Sequence, residues 1–563
     1  MLSLALLATA LLGGADDPRE AYDVLAYRLD LRVDPAVKRL SGTAAVEAKV
    51  VRNELAELVL DMHSDLKVAG VFELGQGFDN VSEFIGRGIT WTHEGDRLVC
   101  ALSRQYERGE LVRVAIEYAG TPLVEDDFTG FHWRETPDGK PWIATSCQGI
   151  GAHTWFPCKA SFYHPEDKHD RLFVNLTVPE GLVGVSNGHL VAKTEPKEGL
   201  RTFRWRSDSG SGTYAITLNV APYVQVDSEI PHLPGLDRPL RFSYWVLPSS
   251  VEKAKVQFAQ VPELLNVYST AFGAFPFPEE KFALVETPFW GMEHSTAVAY
   301  GSSFPAWCKE NDAKDRWASR NRWFDYILVH ETAHEWWGNS VTALDWGHFW
   351  IHEGFATYAE IVYVEMTQGR EAADRFAKEL MARVPADGVL YRGQGKTSEE
   401  AYSGVLYGKG ASVLHTLRAY VANDGAWWKS LQAFQREFRG RNAVTEDFRA
   451  ILERETKRDF EQFFREWVYG TGQPDLRGTV TADGNTLTIH VENSTEGGRS
   501  FHVPLALEFE LGEATTRFSR TLVPGTNDET FTFPSEILNL RVVDRGPMLG
   551  TYQLEVVDKE LAR

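Results

Sequence analysis

The hydrophobic period changes twice along this chain, and that change limits what it can fold into. Between Leu25 and Asp34 the apolar residues Leu25, Tyr27, Leu29, Leu31 and Val33 take odd positions, while Arg28, Asp30, Arg32 and Asp34 take even ones. A period of two puts one set of side chains on each face of a pleated ribbon, so the segment predicts a half-buried strand. Runs of the same kind, Val112 to Tyr118, Leu172 to Val178 and Thr202 to Trp205, recur to about residue 228 between Gly, Pro and Asp turns. Past Pro231 the spacing becomes helical, over Ser250 to Ala271, Asn321 to Trp337, Gly354 to Thr367 and Arg370 to Ala382. This stretch closes at Phe463 to Tyr469, where Gly470, Thr471, Gly472, Gln473 and Pro474 break it. Alternation then returns in Leu487, Ile489 and Val491 after an Asp483-Gly484 turn, and in Val503, Leu505, Leu507, Phe509 and Leu511. The expected class is multidomain α+β: a β domain over residues 16–228, a mostly helical domain over 229–472 and a β sandwich over 473–563.

The 563 residues are 43% hydrophobic and 24% charged, enough apolar surface for several cores and no bias toward disorder. Asp and Glu number 79 against 58 Lys and Arg, a formal charge of −21 that repels phosphate backbones and anionic lipid, so nucleic acid is excluded as an expected partner. The acidity is spread without a long run and serves solubility. Leu2 to Leu12 is apolar, and Gly13, Gly14 and Ala15 follow before Asp16 and Asp17. That pattern reads as a secretory signal over residues 1–15, too short for the roughly 20 residues that span a bilayer. Export to a periplasmic or extracellular space without stable membrane insertion is the expectation. The absence of Lys and Arg before the apolar run leaves a misplaced start or an uncleaved anchor open. Four cysteines, Cys100, Cys147, Cys158 and Cys308, are too few for a disulfide scaffold. Cys147 and Cys158, ten residues between them, either close a loop or remain buried thiols.

The chemistry centres on His330-Glu331-Thr332-Ala333-His334, on a helical ridge that runs Trp323, Ile327, His330, His334, Trp337. A spacing of four sets both imidazoles on one face a turn apart, as two ligands of one Zn²⁺ require. Glu331 then stands beside the ion, where its carboxylate can take the proton of a water whose pKa the ion lowers to about 7. Eighteen residues separate His334 from Glu353, which lies in Trp350-Ile351-His352-Glu353-Gly354-Phe355-Ala356 at the start of the next helical pattern. Helix, loop and first turn of a second helix can return that carboxylate to the metal. Two His and one Glu leave the fourth position open, the mark of a catalytic site rather than a structural one.

His330 to Trp337 followed by Gly338, Asn339, Val341 and Thr342, then Trp350 to Ala356, closely resembles the zinc aminopeptidases typified by aminopeptidase N and leukotriene hydrolase, within the gluzincins. The resemblance implies one Zn²⁺ per chain held by His330, His334 and Glu353, with Glu331 as general base. Trp290-Gly291-Met292-Glu293-His294 resembles the family's Gly-x-Met-Glu-Asn exopeptidase motif, which implies that Glu293 binds the substrate's free α-amino group, alongside Gly291 and Met292. His294 replaces the expected Asn. Ala401 to Ala411 is similar to the family's Tyr-x-Lys-Gly segment, implying Tyr407 as the oxyanion donor and Tyr402 as a wall of the pocket. Ser146 to Cys158, ending in Phe156-Pro157-Cys158, looks like a segment of the family's N-terminal domain and implies that Gln148 helps Glu293 hold the amino terminus. Lys159, Ala160 and Ser161 depart from the family's Asp-Glu-Pro at that point.

Carried over the whole chain, the resemblance implies an N-terminal β saddle, a thermolysin-like, mostly helical catalytic domain and a C-terminal β sandwich. The family's helical C-terminal cap domain is not expected in 563 residues, so the cleft should be more open or covered by a partner chain. The implied partners are peptides with a free N-terminus, and the oligomeric state stays open. Two other readings share these residues. A thermolysin-like endopeptidase would use the same ligands and base, but has no use for Glu293. A non-catalytic peptide-binding protein usually loses the base or a ligand, and all are present.

Overall fold

A computed structural model describes residues 17–52, 54–75, 78, 86–124, 129–160, 167–301, 304, 322–385, 387–496, 500–543 and 546–558. The signal expected over residues 1–15 and Cys308 lie outside the described residues. The chain forms two compact units. The first holds the described residues up to His352, with Gly393–Tyr402 and Gln435–Val444; the second holds Glu353–Arg392, Ser403–Phe434 and the described residues from Thr445 onward.

In the first unit the alternating segments build an eight-stranded sheet. Its order is His189–Lys193, Leu200–Ser207, Arg171–Pro179, Tyr22–Asp34, Arg39–Val50, Leu111–Gly120, Lys67–Leu74, Gly86–Gly88. Tyr22–Asp34 lies near its centre, antiparallel to Arg39–Val50 and parallel to Arg171–Pro179. Its odd-numbered Tyr27, Leu29, Leu31 and Val33 are buried in one core with residues of a four-stranded and a three-stranded sheet, which is what period two requires. Cys100, Cys147 and Cys158 sit in that core as free thiols. The indole N–H of Trp155 lies 3.3 Å from Cys147 Sγ.

A five-stranded sheet follows, in the order Val224–Ile230, Leu240–Val246, Phe282–Thr287, Val298–Gly301, Gly291–Met292. The sequence reading has this region mostly helical. Phe282–Thr287 is buried at all six positions and parallel to both neighbours, so it carries no alternation that periodicity can detect. Among the described residues Gly291–Met292 pairs only with Val298–Gly301 and forms the sheet's edge. The helix expected over Ser250 to Ala271 divides into Val251–Gln257 and Val261–Phe272, joined by a 3₁₀ turn, because Pro262 lacks the N–H that would continue it and instead opens a new helix. The helix expected over Asn321 to Trp337 is shorter, Tyr326–Ala333. Asp325 starts it: its carboxylate accepts Leu328 N–H at 3.2 Å and also receives Tyr300 OH at 2.8 Å and Gln257 Nε2 at 2.7 Å. At the other end the turns tighten, with Glu335 N–H donating to Thr332 O and Trp336 N–H to Ala333 O.

The helix Trp350–Gln368 begins in the first unit and continues into the second. There it joins Arg370–Met381, Val405–Val421, Thr445–Thr456 and Glu461–Trp467 around an aromatic core in which Phe448 meets Phe355 and Phe434 at ring distances of 5.1 and 5.2 Å. Val405–Val421 lies against Trp350–Gln368 so closely that a Cβ on Gly410 would stand 2.6 Å from the α-carbon of Gly354. The sandwich follows, a four-stranded sheet in the order Gly525–Thr532, Thr486–Glu496, Gln473–Asp483, Thr551–Asp558, and a three-stranded one in the order Ala514–Leu522, Val503–Leu511, Ile537–Val542. Among the described residues no helix is long and apolar enough to cross a membrane.

Candidate metal centre

His330 and Glu331 stand on the last turn of Tyr326–Ala333, and His334 caps it. The two imidazoles meet edge to face, with Nε2 atoms 3.3 Å apart. Glu353, in the first turn of Trp350–Gln368, completes a buried group whose ligand atoms all lie within 4.8 Å of one another. The group fits zinc. Two nitrogens bound tetrahedrally at about 2.0–2.1 Å would be about 3.3–3.4 Å apart, the separation seen here. His334 Nδ1 is 2.8 Å from Trp337 O, so Nδ1 carries the proton and Nε2 the lone pair a metal needs.

Glu293 belongs to a second such group, with Glu331 and His334, again within 4.8 Å and buried. Two carboxylates so close and so buried repel unless positive charge lies by them. The backbone brings them together at Gly291, on the edge strand. A Cβ there would lie 2.8 Å from Glu331 Oε1 and 2.9 Å from Ile327 Cγ2, so only glycine lets the strand pass under Glu331. Met292, next along, packs in a small core with Ala144, Tyr214 and Phe289. Asn339 Nδ2 donates to Glu293 O at 2.8 Å, tying the Glu293 loop to the segment after the helix. A second tie runs from Thr296 N–H to Glu335 Oε1 at 2.8 Å. Burial pushes the Glu335 carboxyl up to about 8 despite that bond. His294 is fully buried, neither ring nitrogen has a hydrogen-bond partner among the described residues, and burial drives its pKa down to about 3, so it fills space as a neutral ring.

Behind His334 lies an arrangement that sequence reasoning missed. Ala343 N–H donates to His352 Nε2 at 2.8 Å, which leaves the proton on Nδ1, 3.2 Å from Tyr214 OH. Gly338, at φ +130°, passes beside both: a Cβ on it would lie 3.2 Å from Tyr214 OH, 3.3 Å from His352 Nδ1 and 3.4 Å from His334 Nδ1. His352 and Gly338 stand inside the motifs named above and are legible as candidates. Tyr214 lies in the β region, more than a hundred residues from any ligand, and carries no sequence signal.

The remaining candidates are Gln148, Tyr402 and Tyr407. Gln148 is half-buried on the turn just after the strand Pro141–Cys147. Tyr402 is 40% exposed, its ring 6.4 Å from that of Phe349. Tyr407 is half-buried in the first turn of Val405–Val421, one turn before Gly410, whose contact with Gly354 sets this helix beside the turn that carries Glu353. Lys409, two residues on, is buried with Nζ bonded to the carbonyls of Gly388 and Gly470, and burial lowers its pKa to about 8.

Known proteins match at both levels. The model of the peptidase family M1 domain matches residues 257–467, and that of the peptidase M1 N-terminal domain matches residues 23–215. Aminopeptidase M1-B of Oryza sativa subsp. japonica is 24% identical over 490 residues, covering 84% of this chain and 53% of the relative. Aminopeptidase B of Mus musculus is 25% identical over 459 residues, covering 76% of this chain and 65% of the relative. The chain thus spans between about half and two thirds of the length of these relatives. Among solved structures, an M1 zinc metallopeptidase from Deinococcus radiodurans superposes with a TM-score of 0.65 at 24% identity, over 81% of this chain and 95% of that one. A mutant of that metallopeptidase bound to a Tyr-Ser-Ala substrate matches with the same TM-score at 25% identity, over 80% of this chain and 95% of that one.

Proposed function

The chain belongs to peptidase family M1, and on that premise we propose that it is a zinc aminopeptidase, removing N-terminal residues from peptides with a free amine. One observation carries the reading: the Glu293 carboxylate stands within 4.8 Å of ligand atoms of both Glu331 and His334. An ammonium held by Glu293 is a tether so short that only the first peptide bond reaches the hydrolytic group.

The roles follow from position. His330, His334 and Glu353 hold one zinc per chain, which when bound supplies a Lewis acid for the carbonyl and lowers the pKa of a water toward about 7. Glu293, with Gln148 beside it in this reading, neutralises the α-ammonium and fixes register. Gly291 and Met292 offer main-chain groups at a sheet edge unpaired among the described residues, along which an extended substrate can lie. Glu331 takes a proton from the attacking water and returns it to the leaving amine, so the carboxylate ends the cycle as it began. Tyr407 OH donates to the oxyanion, and Tyr402 lines the pocket. We further read residues 1–15 as an export signal, with the working protein periplasmic or extracellular, and the domain divisions near residues 228 and 472 as separating β domain, catalytic domain and sandwich.

The test is release of chromophore from aminoacyl anilides and from the same compounds acetylated at the amine, each with and without a chelator. Chelator-sensitive cleavage of the free amines alone is the expected result. Undiminished cleavage of the acetylated series removes Glu293 from the mechanism and refutes the reading.

A further inference from the structure

The outer face of the eight-stranded sheet holds a groove of about 700 Å³ that the proposed peptidase chemistry does not use. Four arginines line it, Arg28, Arg32, Arg204 and Arg206, against one carboxylate, Asp30, in a chain whose overall charge is −21. Strand register explains the gathering. Arg28 lies opposite Phe173 and Phe173 opposite Arg206; Asp30 lies opposite Asn175 and Asn175 opposite Arg204; Arg32 lies opposite Thr177 and Thr177 opposite Thr202. Alternate residues of each strand, even-numbered in Tyr22–Asp34 and Leu200–Ser207 and odd-numbered in Arg171–Pro179, therefore form three ladders across three strands.

The four arginines are not equivalent. Arg28 Nε is 2.8 Å from Asp30 Oδ2, and Asn175 Nδ2 also donates to Asp30, so that carboxylate is satisfied inside the groove. Arg206 is paired with Asp208 and stacks over Phe173, with 5.3 Å from its guanidinium carbon to the ring centroid. Arg32 and Arg204 are exposed and form no ion pair among the described residues. Two guanidinium groups without an ion-pair partner among the described residues thus flank a floor in which Thr177 and Thr202 are hydrogen-bonded to each other at 2.8 Å. Val191, 57% exposed, adds an apolar rim.

From this we infer that the groove is a binding site for an extended, carboxylate-rich peptide segment, with Arg32 and Arg204 each taking one carboxylate. The two arginines lie two strands and one two-residue step apart, which is roughly 12 Å between backbones, and carboxylates on the same face of an extended peptide recur about every 7 Å, so long arginine arms can meet a pair of them. The fixed Asp30 at the centre and the apolar rim fit a peptide, whose charges are spaced by neutral groups. A polyphosphate, with charge at every unit, would set a phosphate against Asp30.

The probe is N-acetylated hexaglutamate, which offers no free amine, titrated by calorimetry into the full chain in zinc-loaded and zinc-free form. Binding that weakens with added salt and is the same with and without zinc is expected, and the double variant R32E/R204E, which alters only exposed side chains, should bind at least about tenfold more weakly for each guanidinium removed. Its hydrolysis of a short aminoacyl anilide should equal that of the parent protein, which keeps a failure of the groove distinct from a failure of the peptidase reading. No binding by the parent chain, or equal binding by a folded R32E/R204E variant, overturns the proposal. Tighter binding of inorganic polyphosphate than of hexaglutamate at equal salt overturns the peptide assignment and gives the groove to a phosphate polymer.

Discussion

Replacing Gly338 with alanine should weaken zinc binding although Gly338 touches no metal. Its φ of +130° is a region that costs an L-residue about 1–3 kcal/mol. The added methyl also lands 3.2, 3.3 and 3.4 Å from Tyr214 OH, His352 Nδ1 and His334 Nδ1, tighter than most carbon contacts, and all three atoms are held by hydrogen bonds. Relief requires either stretching the Tyr214–His352 bond, worth about 1 kcal/mol, or tilting the His334 ring on its bond to Trp337 O. A tilt at Nδ1 moves Nε2, the ligand atom, and disturbing such an orienting bond typically costs about 10–100-fold in metal affinity. The assay is chelator competition for zinc beside urea unfolding of zinc-free and zinc-loaded protein. Gly338→Ala should lose about 2–4 kcal/mol without zinc and about 1–3 kcal/mol more with saturating zinc. Gly109→Ala is the control, because Gly109 has φ +93° and open space where its Cβ would go, so it bears strain without crowding. If Gly338→Ala behaves as Gly109→Ala does and keeps parental zinc affinity, the reasoning fails and Gly338 is a turn residue only.

Other perturbations separate the roles. Glu331→Gln should retain zinc and lose about 10²–10⁴-fold in kcat, whereas His334→Ala should lose both; metal analysis beside anilide turnover distinguishes them, and zinc loss in the first variant refutes the base assignment. Tyr407→Phe should lower kcat by about 10²–10³ with KM little changed, and an unchanged kcat would remove Tyr407 from the oxyanion. Gly291→Ala should cut kcat while zinc stays bound, since its Cβ would sit 2.8 Å from Glu331 Oε1 and displace the base. Burial, aided by Arg418 and Arg370, drives the pKa of His415 down to about 3, so His415 stays neutral in the folded chain while the unfolded chain takes up a proton below about 6.5. Stability should therefore fall as pH drops through 6.5, by about 2 kcal/mol at pH 5 from this residue, and His415→Gln should show a shallower decline in urea unfolding over that range.

Strands that keep one face in water are legible in the sequence because alternation reports them: Leu25 to Asp34 reads as a strand, and Tyr22–Asp34 is one. Phe282–Thr287 escapes that reading, because a strand buried on both faces has no polar phase. Helix positions are legible and helix ends less so. The ridge through Ile327 and His330 belongs to a helix, but Asp325, held by Tyr300 and Gln257 from elsewhere in the chain, decides where that helix starts. At the site, spacing locates the imidazoles and Glu353, whose ligand atoms the fold gathers within 4.8 Å. It does not locate Tyr214, because the bond that matters joins residues 138 apart in sequence and depends on which ring nitrogen of His352 carries the proton.

In the aminopeptidase reading proposed above, Gly291 ties recognition and catalysis to one rigid frame. The edge strand that precedes Glu293 passes under the carboxylate of Glu331 with no room for a methyl group, so the group proposed to hold the amine and the group proposed to activate water share a single backbone contact. Asn339 and Glu335, both from the segment that follows His330 and Glu331, then hold the same loop by hydrogen bonds of 2.8 Å each. A loop free to move would bind amines in several registers, and each ångström of error would carry the first peptide bond away from the base.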